Sequence, residues 1–188
     1  MIQQLIYVRH GQSEANAAGV YAGARSDVKL TAHGREQAIA AGLLLERERI
    51  SHIIASDLDR AHQTAEIIAA TINYTGPEII TDPRIRELDV GDLTGKPDTG
   101  FLDYLHYIAS GQDKIAETPE QVEERLRKVL LALNYVDGHT ILIVAHAGVG
   151  RVLRSMLTGV DLAKIATLDV PNAQPIHLPL DRLKEYDV

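Results

Sequence analysis

The chain has 188 residues, 45% of them hydrophobic and 24% charged, which fits one soluble domain able to bury its own core. It contains no cysteine, so disulfides, thiolate nucleophiles and cysteine-based zinc sites are excluded together. A formal net charge of -7 argues against general nucleic-acid binding, and no stretch approaches the roughly 20 apolar residues of a membrane span.

The amino terminus lacks a charged head followed by a long apolar block, so no secretory signal is expected and the cytoplasm is the expected location. Residues 3–8 are apolar and end at Arg9-His10-Gly11, which predicts a buried strand and a tight exit. Thr31 is placed to cap a helix over 32–49 with alanines and leucines on its inner face. "HIIAS" (52–56) reads as a second buried strand. A helix over 57–72 follows, opened by acidic residues that suit the positive end of its dipole. "EIITD" (78–82) reads as a short third strand, and 83–118, rich in glycine and proline, as an irregular segment. A long helix over 119–136 begins with proline in its first turn. "TILIVAH" (140–146) is the most apolar strand, followed by a helix over 147–159. "AQPIHLPL" (173–180) suits an edge strand, where proline is tolerated. Alternating strands and helices predict an α/β fold in three layers, a mostly parallel sheet covered on both faces. Ligands in such sheets bind beyond the carboxyl ends of the strands. Three polar clusters fall at those ends: Arg9-His10-Gly11, residues 56–60, and His146-Ala147-Gly148.

An imidazole set directly after a buried strand is held by rigid backbone. Neutral His10 suits nucleophilic attack on phosphorus, and Arg9 offers a planar fork to phosphate oxygens. Asn16 adds a neutral donor one helical turn on. Alone, Arg-His-Gly fits a solvated turn better than a site. His146 strengthens the case, because it ends a second buried strand and precedes a helix amino terminus, a natural phosphate site. Two histidines at adjacent strand ends can bracket one phosphoryl group. As a lone residue, His146 could simply cap its helix. No third ligand suggests a metal site for the pair. Arg60, in "SDLDRAHQTA", works against its helix dipole, which favours a ligand role over a salt bridge to Asp57 or Asp59. A leaving group needs a proton, and "RELDVGDLTG" offers Glu87, Asp89 and Asp92; spacing alone does not choose among them.

With these pieces together, the chain resembles the histidine phosphatase superfamily in its phosphoglycerate-mutase-like branch. "RHGQSEAN", "DVKLTAHGREQA", "SDLDRAHQTA", "ELDVGDLTG" and "VAHAGVGR" match that family's motifs in the family's order and over most of the chain. The resemblance implies a phosphoglycerate-mutase-like fold in one domain over 1–188, with 83–118 as a small cap that sets specificity. It implies that His10 is phosphorylated and that Arg9, Arg60 and His146 form the phosphate pocket. Asn16 would line that pocket, the Ala147 backbone N–H would contact the phosphate, and Glu87 would be the proton donor. No metal or other cofactor is implied. The expected activity is that of a histidine acid phosphatase-type monoesterase acting on a small phosphorylated metabolite. Phosphoglycerate mutase-type transfer is the alternative, and a non-catalytic phosphate-binding or regulatory role is the alternative of a different class. A homodimer is compatible with either. Three departures stand out. Ala147 replaces a commoner glycine, the loop between Gly23 and Asp27 is one residue longer than usual, and 92–118 holds only Lys96 and Lys114 as strong bases. The last favours hydrolysis over mutase activity. Phe101, Leu102, Tyr104, Leu105, Tyr107 and Ile108 suit either a ligand cover or an amphipathic helix packed on the core.

Overall fold

A strand buried on both faces must be apolar through its middle, and two segments of this chain meet that condition, with Leu5–Val8 and Ile141–Ala145 at their centres. In a computed structural model describing residues 2–133, 136 and 140–186, they are β1 (Gln4–Arg9) and β4 (Thr140–Ala145), paired in parallel from Gln4↔Thr140 to Arg9↔Ala145. The remaining strands are β2 (Ile50–Ala55), β3 (Ile80–Thr81) and β5 (Pro175–Leu178). Among the described residues the sheet order is β3-β2-β4-β1-β5, all parallel except the edge strand β5. The expected third strand over 78–82 shrinks to the two residues that pair with β2.

Side chains of a strand alternate between faces, and each face of this sheet carries its own layer. Ile6, Val8, Leu142 and Val144 pack under α2 (Ala32–Leu45) and α3 (Asp59–Thr71), which supply Ala41, Leu45, Ala65 and Ile68. Leu5, Tyr7, Ile141 and Ile143 pack on the other face under α5 (Pro119–Leu133) and α6 (Ala147–Thr158). α1 (Glu14–Ala18) is a single turn between β1 and α2.

Thr31 caps α2 through its side chain, as expected, but the helix ends at Leu45 rather than near 49. Its inner face is small, with Gly34, Ala38, Ala41 and Gly42 buried, while Leu43 and Leu44 point outward at 60% and 64% exposure. The three consecutive leucines cannot share one face, since neighbours on a helix sit about 100° apart. The segment 83–118 is also more ordered than expected. It holds two 3-10 turns and α4 (Phe101–Ala109), whose Tyr104 is buried in the core. The expected helix over 119–136 is observed to Leu133; residues 134–135 lie outside the described residues.

Candidate active site

β1 and β4 lie side by side, yet β1 leads to a helix on one face and β4 to a helix on the other. The backbone therefore parts at their carboxyl ends, where α/β sheets open a crevice. His10 and His146 stand at this point, with ring centroids 5.2 Å apart in an edge arrangement. The His10 N–H donates to the Ala145 carbonyl (2.9 Å), and Asn172 Nδ2 donates to the His10 carbonyl (2.7 Å). The backbone of the candidate nucleophile is thus fixed from both sides.

The ring is fixed as well. His10 Nδ1 lies 2.7 Å from the Gly11 carbonyl oxygen, which can only accept. Nδ1 therefore carries the hydrogen, and in the neutral ring Nε2 keeps its lone pair. Burial holds the His10 imidazole well below its ordinary pKa, and the Arg60 and Arg9 charges push the same way. The group is neutral and nucleophilic at ordinary pH.

Around it lies a cavity of about 190 Å³, lined by Arg9, His10, Asn16, Arg60, Glu87 and Ala147 among others. Arg60 is 1% exposed, and its Nη1 and Nη2 donate to the carbonyls of Ser26 (2.9 Å) and Gly23 (2.8 Å). The salt-bridge alternative fails, because Arg86 takes Asp57 and Asp59 makes no ion pair among the described residues. Arg9 donates through Nη1 to the Val170 carbonyl, while its buried Nε has no partner. Asn16 Oδ1 closes a capping box on the Ser13 N–H, which leaves the amide N–H₂ toward the cavity it lines. Gly23, at the start of the lengthened loop, lies on the cavity wall and orients Arg60 through its carbonyl.

The three acids separate. Glu87 faces the cavity and accepts from the N–H groups of Leu88 (3.0 Å), Gly148 (3.2 Å) and Val149 (3.4 Å). Asp89 is paired with Arg25, and Asp92 is exposed; neither lines the cavity. A side chain at 148 would meet Leu88 Cδ1 at 2.5 Å and Glu87 Oε1 at 2.8 Å, so glycine there lets the carboxylate reach the helix terminus.

His146 is placed differently from expectation. It is fully buried against the His10 ring, off the cavity surface, with Nε2 2.9 Å from Ser56 Oγ and a buried Nδ1 that has no partner among the described residues. Burial and the Arg60 charge keep this ring below its ordinary pKa too. Lys96 and Lys114 do not line the cavity. Phe101 and Tyr104 of α4 do, so that helix packs on the core and walls the site at once. Tyr21, Asp98 and Arg151 also line it and were not singled out from sequence. For Arg151 a signal existed, since it lies four residues after Ala147 on the same helix face.

Comparison with known proteins follows this geometry. The model of the histidine phosphatase superfamily (branch 1) matches residues 5–184. The chain is 36% identical over 152 residues to "Probable phosphoglycerate mutase GpmB" of Serratia proteamaculans, covering 76% of this chain and 69% of that one. It is 29% identical over 180 residues to a candidate phosphoserine phosphatase 2 of Hydrogenobacter thermophilus, covering 92% and 87%. A mycobacterial glucosyl-3-phosphoglycerate phosphatase solved with VO3 superposes with a TM-score of 0.78 at 25% identity, covering 94% and 95%. The chain belongs to the histidine phosphatase superfamily, branch 1.

Proposed function

We propose that the protein is a metal-independent phosphomonoesterase of the histidine acid phosphatase type, acting on a small phosphorylated metabolite through a phosphohistidine on His10. The observation that carries this reading is the fixed His10 tautomer, with Nε2 unprotonated beside Arg9 and Arg60. In the first step Nε2 attacks phosphorus, the bond to the leaving oxygen breaks, and Glu87 in its acid form gives that oxygen a proton. In the second, water attacks the phosphohistidine and Glu87 takes the water's proton. Inorganic phosphate leaves, and His10 and Glu87 return to their starting forms. Arg9, Arg60, the Asn16 amide and the Ala147 N–H stabilise the charge on the equatorial oxygens. His146 supports the nucleophile from behind.

The cavity is smaller than drug-sized sites, which supports a substrate of a few carbons. The names of the relatives point to phosphoglycerate, phosphoserine and glucosyl-3-phosphoglycerate, all phosphate esters of carboxylic acids. Mutase-type transfer is a second reading, favoured by the GpmB relative. Incubation with 3-phosphoglycerate, with and without bisphosphoglycerate, separates them. Hydrolysis releases inorganic phosphate, whereas a mutase yields 2-phosphoglycerate.

The primary test uses an activated aryl phosphate with exhaustive EDTA. Wild-type turnover should persist, His10→Ala should remain folded and lose it, and acid-labile phosphate should appear on His10 during turnover. Wild-type-like turnover by His10→Ala, or activity lost to EDTA and restored by zinc or magnesium, overturns the proposal.

A further inference from the structure

Arg151 lines the cavity, yet the chemistry above leaves it without a task. Its Nε is buried without a partner, and no ion pair reaches the guanidinium among the described residues. The group lies over the Phe101 ring, 4.8 Å from its centroid. A guanidinium held flat on an aromatic face keeps its N–H edges for an anion in its own plane. Ala147 and Arg151 are one turn apart on α6, about 6 Å along the axis. Long helical side chains lean toward the amino terminus, so Arg151 leans back toward the phosphoryl position. A guanidinium within one turn of the Ala147 N–H can reach an anion joined to the phosphate ester through two or three carbons. In charge, three arginines (Arg9, Arg60, Arg151) face two carboxylates (Glu87, Asp98) in a chain of net charge -7. Arg9 and Arg60 serve the phosphoryl group beside His10, which leaves the third cation, on α6, for a second anion of the same ligand. Asp98 shares the cavity, but it accepts from the Gly100 N–H and forms no ion pair with Arg151.

We propose that Arg151, braced by Phe101, binds the carboxylate of the substrate and so selects phosphate esters of small hydroxy or amino acids. The proposal rests on the phosphatase reading and adds the residue that sets its specificity. The volume of the cavity favours a carboxylate over a second, larger phosphate.

The test compares esters that differ only in the carboxylate: 3-phosphoglycerate with glycerol phosphate, and O-phosphoserine with O-phosphoethanolamine. Wild-type protein should favour the acid of each pair in kcat/KM. Arg151→Met should cut that preference by about 10–100-fold, the usual effect of removing a charge-assisted hydrogen bond. Arg151→Lys should restore part of it, and circular dichroism controls for folding. An ammonium group facing Asp98 would show as a preference for each amine over its hydroxyl counterpart, O-phosphoserine over 3-phosphoglycerate and O-phosphoethanolamine over glycerol phosphate. Calorimetric binding of the same esters to His10→Ala protein, with and without Arg151→Met, gives a readout free of turnover. If aryl phosphate is hydrolysed but both pairs are treated alike before and after substitution, the carboxylate proposal falls and the phosphatase reading stands. If nothing is hydrolysed but the binding preference is present and lost with Arg151, the phosphatase reading falls and the carboxylate site stands. Absence of both hydrolysis and binding ends both.

Discussion

The Glu87 carboxylate accepts three backbone N–H groups while it faces the cavity, and glutamine can keep those acceptor contacts through its carbonyl oxygen. What glutamine cannot do is give up a proton. Glu87→Gln should therefore slow cleavage of alkyl phosphates, whose alkoxides need that proton, by about 10²–10⁴. Activated aryl phosphates leave as stable phenolates and should slow far less. Parallel kcat measurements on the two classes check this, and equal losses would make Glu87 a positioning residue. A pH effect follows from the histidines. Both rings are held below their ordinary pKa, so the unfolded chain takes up their protons at a higher pH than the native state. The native state keeps its full advantage above about pH 6.5, the ordinary histidine value, and loses it as pH falls below. The slope is about 1.4 kcal/mol per pH unit for each histidine inside that window. Urea unfolding from pH 8 to 5 should show a shallower decline for His10→Asn than for wild type; equal slopes would remove His10 from this account.

α2 holds the nucleophile's loop by direct backbone contact. A side chain at Gly34 would collide with the Gln12 carbonyl and lie 2.9 Å from the Gln12 nitrogen, and one at Gly11 would strike the Gly34 carbonyl. Two glycines thus let the turn after β1 rest on the first turn of α2. Alanine inside a helix ordinarily gains about 1 kcal/mol over glycine. Backbone cannot swing aside, so at this position overpacking, about 1–3 kcal/mol, sets the sign. Gly34→Ala should lower the urea midpoint and reduce kcat together, as the loop carrying His10 shifts. A more stable and fully active variant would show that the contact relaxes freely. Nothing in the local pattern of "TAHGREQA" distinguishes this glycine from a helix residue of low propensity, because the chain it touches lies in another element.

Across the whole molecule, legibility follows sequence distance. β1 and β4 each carry an unbroken apolar run, Leu5–Val8 and Ile141–Ala145, so their burial, and the placement of His10 and His146 close behind, can be read within each segment. The partners of Arg60 could not be read this way, for they are carbonyls of a distant loop that offers no side-chain pattern. Arg151 carried a signal of position, four residues after Ala147, but its contact with Phe101 could not be read, since that ring comes from a separate helix. The strand order is the extreme case. β1 lies between β4 and β5, two strands from the final third of the chain. Protein synthesis runs in the opposite sense. His10, the proposed nucleophile, leaves the ribosome early, while the Ala145 carbonyl that holds its N–H and the Asn172 amide that holds its carbonyl follow only after many later residues. A nascent chain that stops short of residue 140 leaves β1 with neither neighbour and His10 with neither anchor. The geometry on which the proposed catalysis depends is thereby tied to completion of the sheet, and unfinished chains carry the RHG motif without it.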